Sequence, residues 1–537
     1  MNELLLALYW LAVLGLCLYG INCYVLCGAF RRTAPAQLDR LRRVREDFWR
    51  AAPMEQQLPF VTVQLPIFNE RYVVERLVRS VAAFDYPRSR FEIQVLDDST
   101  DDTVAIAARL VAEMQSQGLQ ISHLHRRNRD GFKAGALRDG LLTCKGELVA
   151  IFDADFVPSP DYLRASVPFF ADPQVGLVQA RWGHLNRDYS NLTRAQGLAI
   201  DGHFSIEQAG RCWSGWMLNF NGTAGMWRKT AIETAGGWHA DTLTEDLDLS
   251  YRAQLAGWKV EYLLDHEVPA EVPADMSAFK SQQRRWAKGS IQTALKLLPR
   301  VLRAPLPLST KVQACMHLTH YLVHPLMLMV ALLAVPVLIT WKGGHAPRWA
   351  FLIMGAFLAV GSCGPTALYF ASQRALRPDW KRRVSHLPLL MLIGTGIAVS
   401  NARAVFEALL GIKTGFVRTP KRNLTDGSAR RASTGYRLPI DPVFLFEAAL
   451  AVYSAWGVSV YLDRGRYLIG PFLALYAASF GYVALLSMSE RMRQMLGRAP
   501  AALAPEPACA PAVVTVAAPI AAPAARRASS LVEEPTL

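Results

Sequence analysis

Five apolar segments of about the length that spans a bilayer bracket one long block of mixed composition. They are Leu4–Phe30, Val312–Trp341, Trp349–Phe370, Pro442–Leu462 and Tyr467–Met488. Nothing between residue 31 and about residue 305 is apolar for so long. A chain of this kind folds as a bundle of membrane helices carrying one sizeable soluble domain. The first segment is long, has no basic residue ahead of it, and is followed by arginines instead of a small-residue cleavage site. It therefore reads as a retained anchor, not a signal peptide.

The formal net charge is +14, which raises the possibility of nucleic-acid binding. The excess sits beside the apolar segments, however. Arg31, Arg32, Arg40, Arg42, Arg43 and Arg45 follow the first, and Arg374, Arg377, Lys381, Arg382 and Arg383 follow the third. That is the charge asymmetry of a multi-pass membrane protein, and it excludes nucleic acid as the expected partner. The eight cysteines are scattered without a CxxC, so no zinc site or disulfide framework is expected.

Keeping every basic loop on one side orders the chain as follows. Residues 1–30 form the first transmembrane helix, 31–305 a cytoplasmic domain, and 306–490 the remaining transmembrane helices. Leu387–Leu410 is apolar but contains Asn401, Arg403 and Glu407. An ionised group at mid-bilayer costs about 2.5–3.5 kcal/mol, so 387–411 is expected in the membrane interface and 412–438 in the cytoplasm; a sixth span is the alternative. Residues 491–537, rich in Ala and Pro from Ala499 on, are expected to be a disordered cytoplasmic tail.

Within the soluble block, β-rich runs alternate with helical spacing. Strands are expected at Val61–Leu65, Phe91–Leu96, Leu148–Phe152 and Gly176–Ala180. Helices are expected at Glu70–Phe84, Thr103–Gln117 and Leu137–Thr143. Such alternation implies a Rossmann-like, mostly parallel α/β sheet covered on both faces. Ligands of these sheets bind beyond the carboxyl ends of the strands, where VLDDS (95–99) and FDADF (152–156) fall.

Four motifs carry chemistry. The carboxylates of FDADF suit Mg²⁺ or Mn²⁺, hard cations that leave positions open for substrate phosphates. Two acids in a turn are more often solvated surface; an apolar strand in front and three partner motifs favour a site. VLDDS can accept from ribose hydroxyls or base N–H groups, with Asp101 or Asp102 left to cap the helix at Thr103. Asp246 of TED (244–246) is the candidate general base that takes a proton from an attacking hydroxyl. In QQRRW (282–286), Gln282, Arg285 and Trp286 share one helical face. They offer an amide, a guanidinium for phosphate and an indole for a sugar face. Arg127, Arg129 and Lys133 form a basic turn apt for phosphate, or a solvated loop. Phe220–Gly225 is a small-residue loop that permits close backbone approach. His317, His320 and His324 line a stripe that reads as polar residues facing the bundle or a sugar path in preference to zinc. Trp213, Trp216 and Trp227 read as core.

The order and flanks of QLPIFNE, EIQVLDDSTDDT, NRDGFKAGAL, IFDADF, VQARW, FNGTAGMWR, AGGW, TEDLDLSYRA and QQRRW resemble the processive membrane glycosyltransferases of family 2, and most nearly the cellulose synthase-like A group of mannan and glucomannan synthases. The resemblance covers about Val61–Gly289. It implies a GT-A-type domain joined to an α-helical transmembrane bundle, in an integral membrane protein of the bacterial inner (plasma) membrane. It implies catalysis by Asp246 with Glu245, and a donor site of Glu70, Asp97, Asp98, Lys133, Asp153, Gln282 and Arg285. A Mg²⁺ or Mn²⁺ would lie on Asp155 and Asp153, and the acceptor on Trp286, Asn221, Gly222 and Thr223. Phe416, Thr419 and Lys421 resemble part of the gating loop of cellulose synthases, with Arg418 departing from its valine. FNGTAG departs from the cysteine-containing loop of cellulose and hyaluronan synthases. A fused cyclic-di-GMP domain is not expected.

The implied activity is inverting hexosyl transfer from GDP-mannose or UDP-glucose to a growing glycan in the bilayer, with translocation and possible export partners. The rivals are a synthase adding a single sugar to a lipid acceptor such as ceramide or diacylglycerol, and an inactive scaffold.

Overall fold

A computed structural model describes residues 2–51, 53–340, 348–415, 417–425, 439, 441–465, 467 and 469–496. Phe416, the basic stretch 426–438 and the tail from 497 lie outside these residues.

Seven strands make one sheet: β1 (Val61–Ile67), β2 (Phe91–Asp97), β3 (Ile121–His125), β4 (Leu148–Ile151), β5 (Val175–His184), β6 (Gly225–Arg228) and β7 (Lys259–Ala270). Their order is β3-β2-β1-β4-β6-β5-β7. All neighbours are parallel except β6, which runs antiparallel to β4 and β5. Every residue of β2 is buried, as in a sheet covered on both faces. On one face Val63 and Leu65 meet Leu77 and Val81 of the helix Val74–Ala82 and Leu110 of the helix Thr103–Ser116. On the other, Val149 and Ile151 meet Leu137 of the helix Phe132–Leu142 and Leu249 of the helix Glu245–Leu255. Two polar pairs bridge β1 and β2 inside: Thr62 donates to Glu92 (2.8 Å) and Gln64 to Gln94 (3.0 Å).

Several boundaries differ from the sequence expectation, each for a local reason. The first helix begins at Val74, not at Glu70, because Asn69 takes a left-handed backbone (φ 54°) and a turn follows. Glu70 is thereby freed from the helix. The helix expected at Leu137 begins at Phe132, immediately after Gly131 (φ 71°). The strand expected at Gly176–Ala180 continues to His184, through the point where it pairs with β7 across an irregularity at Ala180/Arg181.

Among the described residues, five helices are long and apolar enough to cross a membrane. The helix Asn2–Arg50 does not stop where its apolar stretch ends but runs unbroken for 49 residues, about 73 Å at 1.5 Å per residue. Its far end docks on β7: Arg45 grips Asp265 with two hydrogen bonds (2.6 and 2.9 Å) and Arg40 pairs with Glu261. Its near end crosses the helix Arg348–Leu376 at glycines, where a Cβ on Gly364 would stand 2.3 Å from the Gly20 carbonyl oxygen. Backbones approach this closely in membranes only over small residues.

The segment expected as one span from Val312 to Trp341 is divided. Residues Leu308–Leu318 form a helix whose Ala314 and Leu318 join Leu297 and Val301 of the helix Met276–Arg303 in a small core. A turn at His320–Leu322 follows, and the membrane-crossing stretch is His320–Ile339. The apolar stretch with charges is also broken, into Leu387–Gly396 and Ala398–Leu409. Trp380–Gly396 and Ala398–Leu409 are bent by 42°. Glu407 on the second piece pairs with Arg284 (2.5 Å), Arg403 (3.1 Å) and Lys288 (3.4 Å), so the charges on this segment are neutralised within the protein.

Candidate active site

The carboxyl ends of β1, β2 and β4 open into a cavity of about 170 Å³. It is lined by Glu70, Asp98, Lys133, Asp153, Asp155, Asn221, Gly222, Glu245, Asp246, Gln282, Arg285, Trp286, Thr419 and Lys421. Motifs separated by up to some 350 residues in the chain therefore share one pocket. Two expected residues stand behind its wall. Asp97 is wholly buried; it accepts from Ser99 N (2.8 Å) and bonds His123 Nε2 (2.8 Å). Thr223 is also wholly buried, and its hydroxyl accepts from Asp153 N (2.9 Å). Arg127 is exposed and outside the pocket, whereas Arg129 lines it, its guanidinium 3.3 Å above the Phe68 ring.

Asp246 stands in the first turn of the helix Glu245–Leu255, where its Oδ1 accepts from Leu247 N (2.8 Å). Burial, and then the charge of Glu245, push its pKa up to about 7, against the pull of Lys133 and Arg285. A carboxylate poised there is half ionised at neutral pH and takes a proton readily. Gly222 lies against it. With φ at 79°, a Cβ there would sit 2.9 Å from Asp246 Oδ2. The Lys133 ammonium fixes the opposite wall, donating to Asp153 (2.5 Å) and to the Gly222 carbonyl (2.9 Å). Burial works against its charge, but Asp153 and Glu245 hold its pKa above the ordinary lysine range.

Asp98 is gripped by Arg126 through both oxygens (2.7 and 2.6 Å). Burial raises its pKa in spite of that partner. Burial would also raise Asp97, but His123 and Ser99 bring it below the usual carboxylate value. His123 and His125, which brace Asp97 from β3, escape a motif search. Their spacing of two on a strand is the signal that could have found them, since it turns both to one face.

A strap, residues 417–425, lines the pocket and pairs with Glu70 after β1 and Asp155 after β4. Lys421 donates to Asp155 (2.7 Å), and Arg418 pairs with Glu70 through both oxygens. Glu271, absent from the expected set, accepts from Arg422 N (2.9 Å). Burial raises Glu70 to about 7 and raises Glu271, with Asp155 adding to both. Glu70, Asp153, Asp155 and Glu271 line one pocket, the first three paired with Arg418, Lys133 and Lys421. Hard carboxylate oxygens grouped in this way fit a divalent cation of the Mg²⁺ or Mn²⁺ kind. Thr419 Oγ1 is buried with no hydrogen-bond partner among the described residues.

A second cavity of about 490 Å³ lies between this site and the membrane helices. Trp182, Ile200, Asn221, Thr244, Asp246, Gln282 and Trp286 line both. His317, His320 and His324 line the second, as the sugar-path reading of that stripe requires. Trp227 is fully buried in the core and Trp213 nearly so.

The family model described as Glycosyltransferase like family 2 matches residues 59–289. Those residues are a family 2 glycosyltransferase domain. The chain is 42% identical over 250 residues to glucomannan 4-beta-mannosyltransferase 1 of Oryza sativa subsp. japonica, covering 46% of this chain and 48% of that protein. It is 44% identical over 250 residues to glucomannan 4-beta-mannosyltransferase 2 of Arabidopsis thaliana, covering 46% and 47%. The chain thus spans about half the length of the curated relatives it matches. Among solved structures it is similar to a mannosyltransferase from Pyrobaculum calidifontis in complex with GDP-Man and Mn2+, at TM-score 0.44 and 22% identity, over 74% of this chain and all of that one. The resemblance to mannan and glucomannan synthases read from the motifs agrees with these relatives. Their plant origin gives no support to the expected bacterial membrane.

Proposed function

We propose that this protein transfers a hexose, with inversion, from a nucleotide-diphosphate sugar to a glycan that grows from the cytosolic face into the membrane. The donor is GDP-mannose in the first instance and UDP-glucose in the second; the mannosyl relatives support that order. Asp246 supports the reading most directly. It is a carboxylate with a pKa near 7 on the wall that the donor pocket shares with the membrane cavity.

In this reading the base and sugar of the donor lie towards Asp98 and Arg129, with Asp97 holding that end from behind. Asp155 and Asp153, with Glu70 and Glu271 close by, would hold Mg²⁺ or Mn²⁺, which neutralises charge on the departing diphosphate. Lys133 and Arg285 supply fixed positive charge on the pocket wall. Trp286 offers its indole to the terminal acceptor sugar. Asp246 accepts the proton of the acceptor hydroxyl as its oxygen bonds the anomeric carbon and the diphosphate leaves. Lys421 and Arg418 reach the acids from the strap, in keeping with the likeness of residues 416–421 to a gating loop. The shared wall of the two cavities supports delivery of the product directly into the membrane helices. The catalytic domain then faces the cytosol, and the broken segment 387–411 lies at the interface with its charges paired.

A second reading has one observation in its favour. Leu16, Leu26, Val323, Met327, Leu358 and Leu390 give the membrane cavity an aliphatic far wall, which fits an acyl or polyprenyl chain and hence a lipid acceptor. The test is purified protein in detergent with labelled GDP-mannose or UDP-glucose and Mn²⁺ or Mg²⁺. Polymer cut by β-mannanase or β-glucanase supports the first reading and a single labelled lipid the second. No incorporation from either donor refutes both.

A further inference from the structure

Between two ordinary helical pieces, Asn191–Gly202 and Ala209–Trp213, residues His203–Gln208 form a widened π-helical turn. Such turns are rare and concentrate at functional sites. This one faces the membrane cavity with His203 and Glu207, whose side chains keep 31% and 29% of their surface. Glu207 Oε2 lies 3.0 Å from His203 Nδ1, and His203 Nε2 lies 3.2 Å from Asn221 Nδ2.

The hydrogen bonds run in one direction only. The Asn219 backbone carbonyl can only accept, so the Gln208 nitrogen donates towards it and Asn219 Oδ1 (both 3.1 Å) and also to Asn221 Oδ1 (2.5 Å). The Asn221 nitrogen therefore faces His203 Nε2, which must accept. His203 is then the neutral tautomer with its proton on Nδ1, donated to Glu207. The Asn221 backbone is fixed as well, its N–H donating to Gln179 Oε1 (3.1 Å). One Asn221 N–H is occupied by His203. The other belongs to a residue that lines both cavities and precedes Gly222, which abuts the Asp246 carboxylate.

We propose that Glu207 and His203 set the Asn221 amide to receive a hydroxyl of the acceptor's terminal sugar, next to the hydroxyl that Asp246 deprotonates. The proposal rests on the glycosyl-transfer reading above. Asn221 is the binding residue; His203 and Glu207 are positioning residues acting through it. The ligand class is a pyranoside with adjacent free hydroxyls, whether it ends a polysaccharide or a glycolipid.

The test uses the full chain in detergent with GDP-mannose, Mn²⁺ and mannohexaose. His203→Ala is expected to raise the KM and Kd for mannohexaose about tenfold, the worth of one lost neutral hydrogen bond and its alignment. The loss should fall on KM and Kd for mannohexaose, with kcat at saturating mannohexaose changed less than KM, the split expected of a positioning residue. His203→Gln can both accept from Asn221 and donate to Glu207, and should restore most of the affinity. Glu207→Gln, which can still accept from Nδ1, should cost less than His203→Ala. An unchanged mannohexaose Kd in His203→Ala overturns the proposal. So does a fall in kcat at saturating mannohexaose as large as the rise in KM, or a glutamine variant as weak as the alanine one. If His203→Ala does not fold, the comparison of His203→Gln with Asn221→Ala decides: equal losses refute the relay. Failure of the unsubstituted protein to incorporate sugar from any donor is seen before any variant is made. It takes down the transfer reading and this inference with it.

Discussion

Gly222→Ala tests whether the loop before β6 and the base are built to one tolerance. Gly222 has φ 79°, and an alanine held in that left-handed region costs about 1–2 kcal/mol. The added methyl would lie 2.9 Å from Asp246 Oδ2 and 3.2 Å from Lys133 Nζ. Relief to ordinary contact needs about 0.5 Å of movement. Asp246 cannot turn freely, because Leu247 N holds its other oxygen. The loop cannot retreat without drawing the Gly222 carbonyl off Lys133. A misplacement of 1 Å can cost about a hundredfold in rate, so about tenfold is expected here. The assay is the initial rate of sugar incorporation at saturating donor, with monodisperse elution as the check on folding. Gly237→Ala is the control: its φ is 76°, yet nothing lies within 4 Å of the added methyl. It should bear the same backbone strain and keep its activity. A Gly222→Ala variant as fast as the unsubstituted protein, or a Gly237→Ala variant equally slow, refutes the reasoning.

With Asp246 near 7, the ionised fraction and hence kcat/KM should rise about tenfold between pH 6 and pH 8, and Asp246→Asn should flatten that profile while losing about 10²–10⁴ in rate. The same shift has a stability side. A carboxyl whose folded pKa exceeds the unfolded value of about 3.9 contributes most below that value, and the contribution is lost as pH rises to about 7. Asp246→Asn should therefore melt higher than the unsubstituted protein at pH 8 and alike at pH 4. Lys421→Gln removes the ammonium that pairs with Asp155, so the Mn²⁺ concentration giving half-maximal rate should fall about tenfold; an unchanged value would separate Asp155 from the cation. Gly364→Leu forces side-chain atoms where a Cβ alone would lie 2.3 Å from the Gly20 carbonyl oxygen. Backbone cannot yield as a side chain does, so the yield of folded protein should collapse, as read by fluorescence-detected gel filtration.

The parts legible in the sequence were those with a strong period or a fixed chemistry. Buried parallel strands are continuous apolar runs, so β1, β2 and β4 stand out. Their acids follow at once because ligand sites sit at strand ends. The QxxRW face is legible because a helix repeats every three to four residues. What escaped was set by tertiary partners. β6 is four residues long and exists because β4 and β5 flank it. Ile121–His125 carries two histidines and lacks the signature of a buried strand; only its pairing with Asp97 makes sense of them. Glu271 and Glu207 belong to no motif, and their roles come from what folds over them. The division of the apolar stretch at Thr319 was hidden because hydropathy records burial without saying whether lipid or protein does the burying.

The long first helix has a geometric consequence. It is at once a bilayer crossing and, through Arg40 and Arg45, a brace on β7. The helix continues through Pro35, which removes one backbone hydrogen bond, and no loop separates the two roles, so the height of the cleft over the lipid is counted out in residues. Each added residue would lift the brace about 1.5 Å and swing it by about 100°, so one insertion near Arg31 would turn both arginines off the sheet edge. The soluble domain is thus set by this helix in reach as well as in bearing.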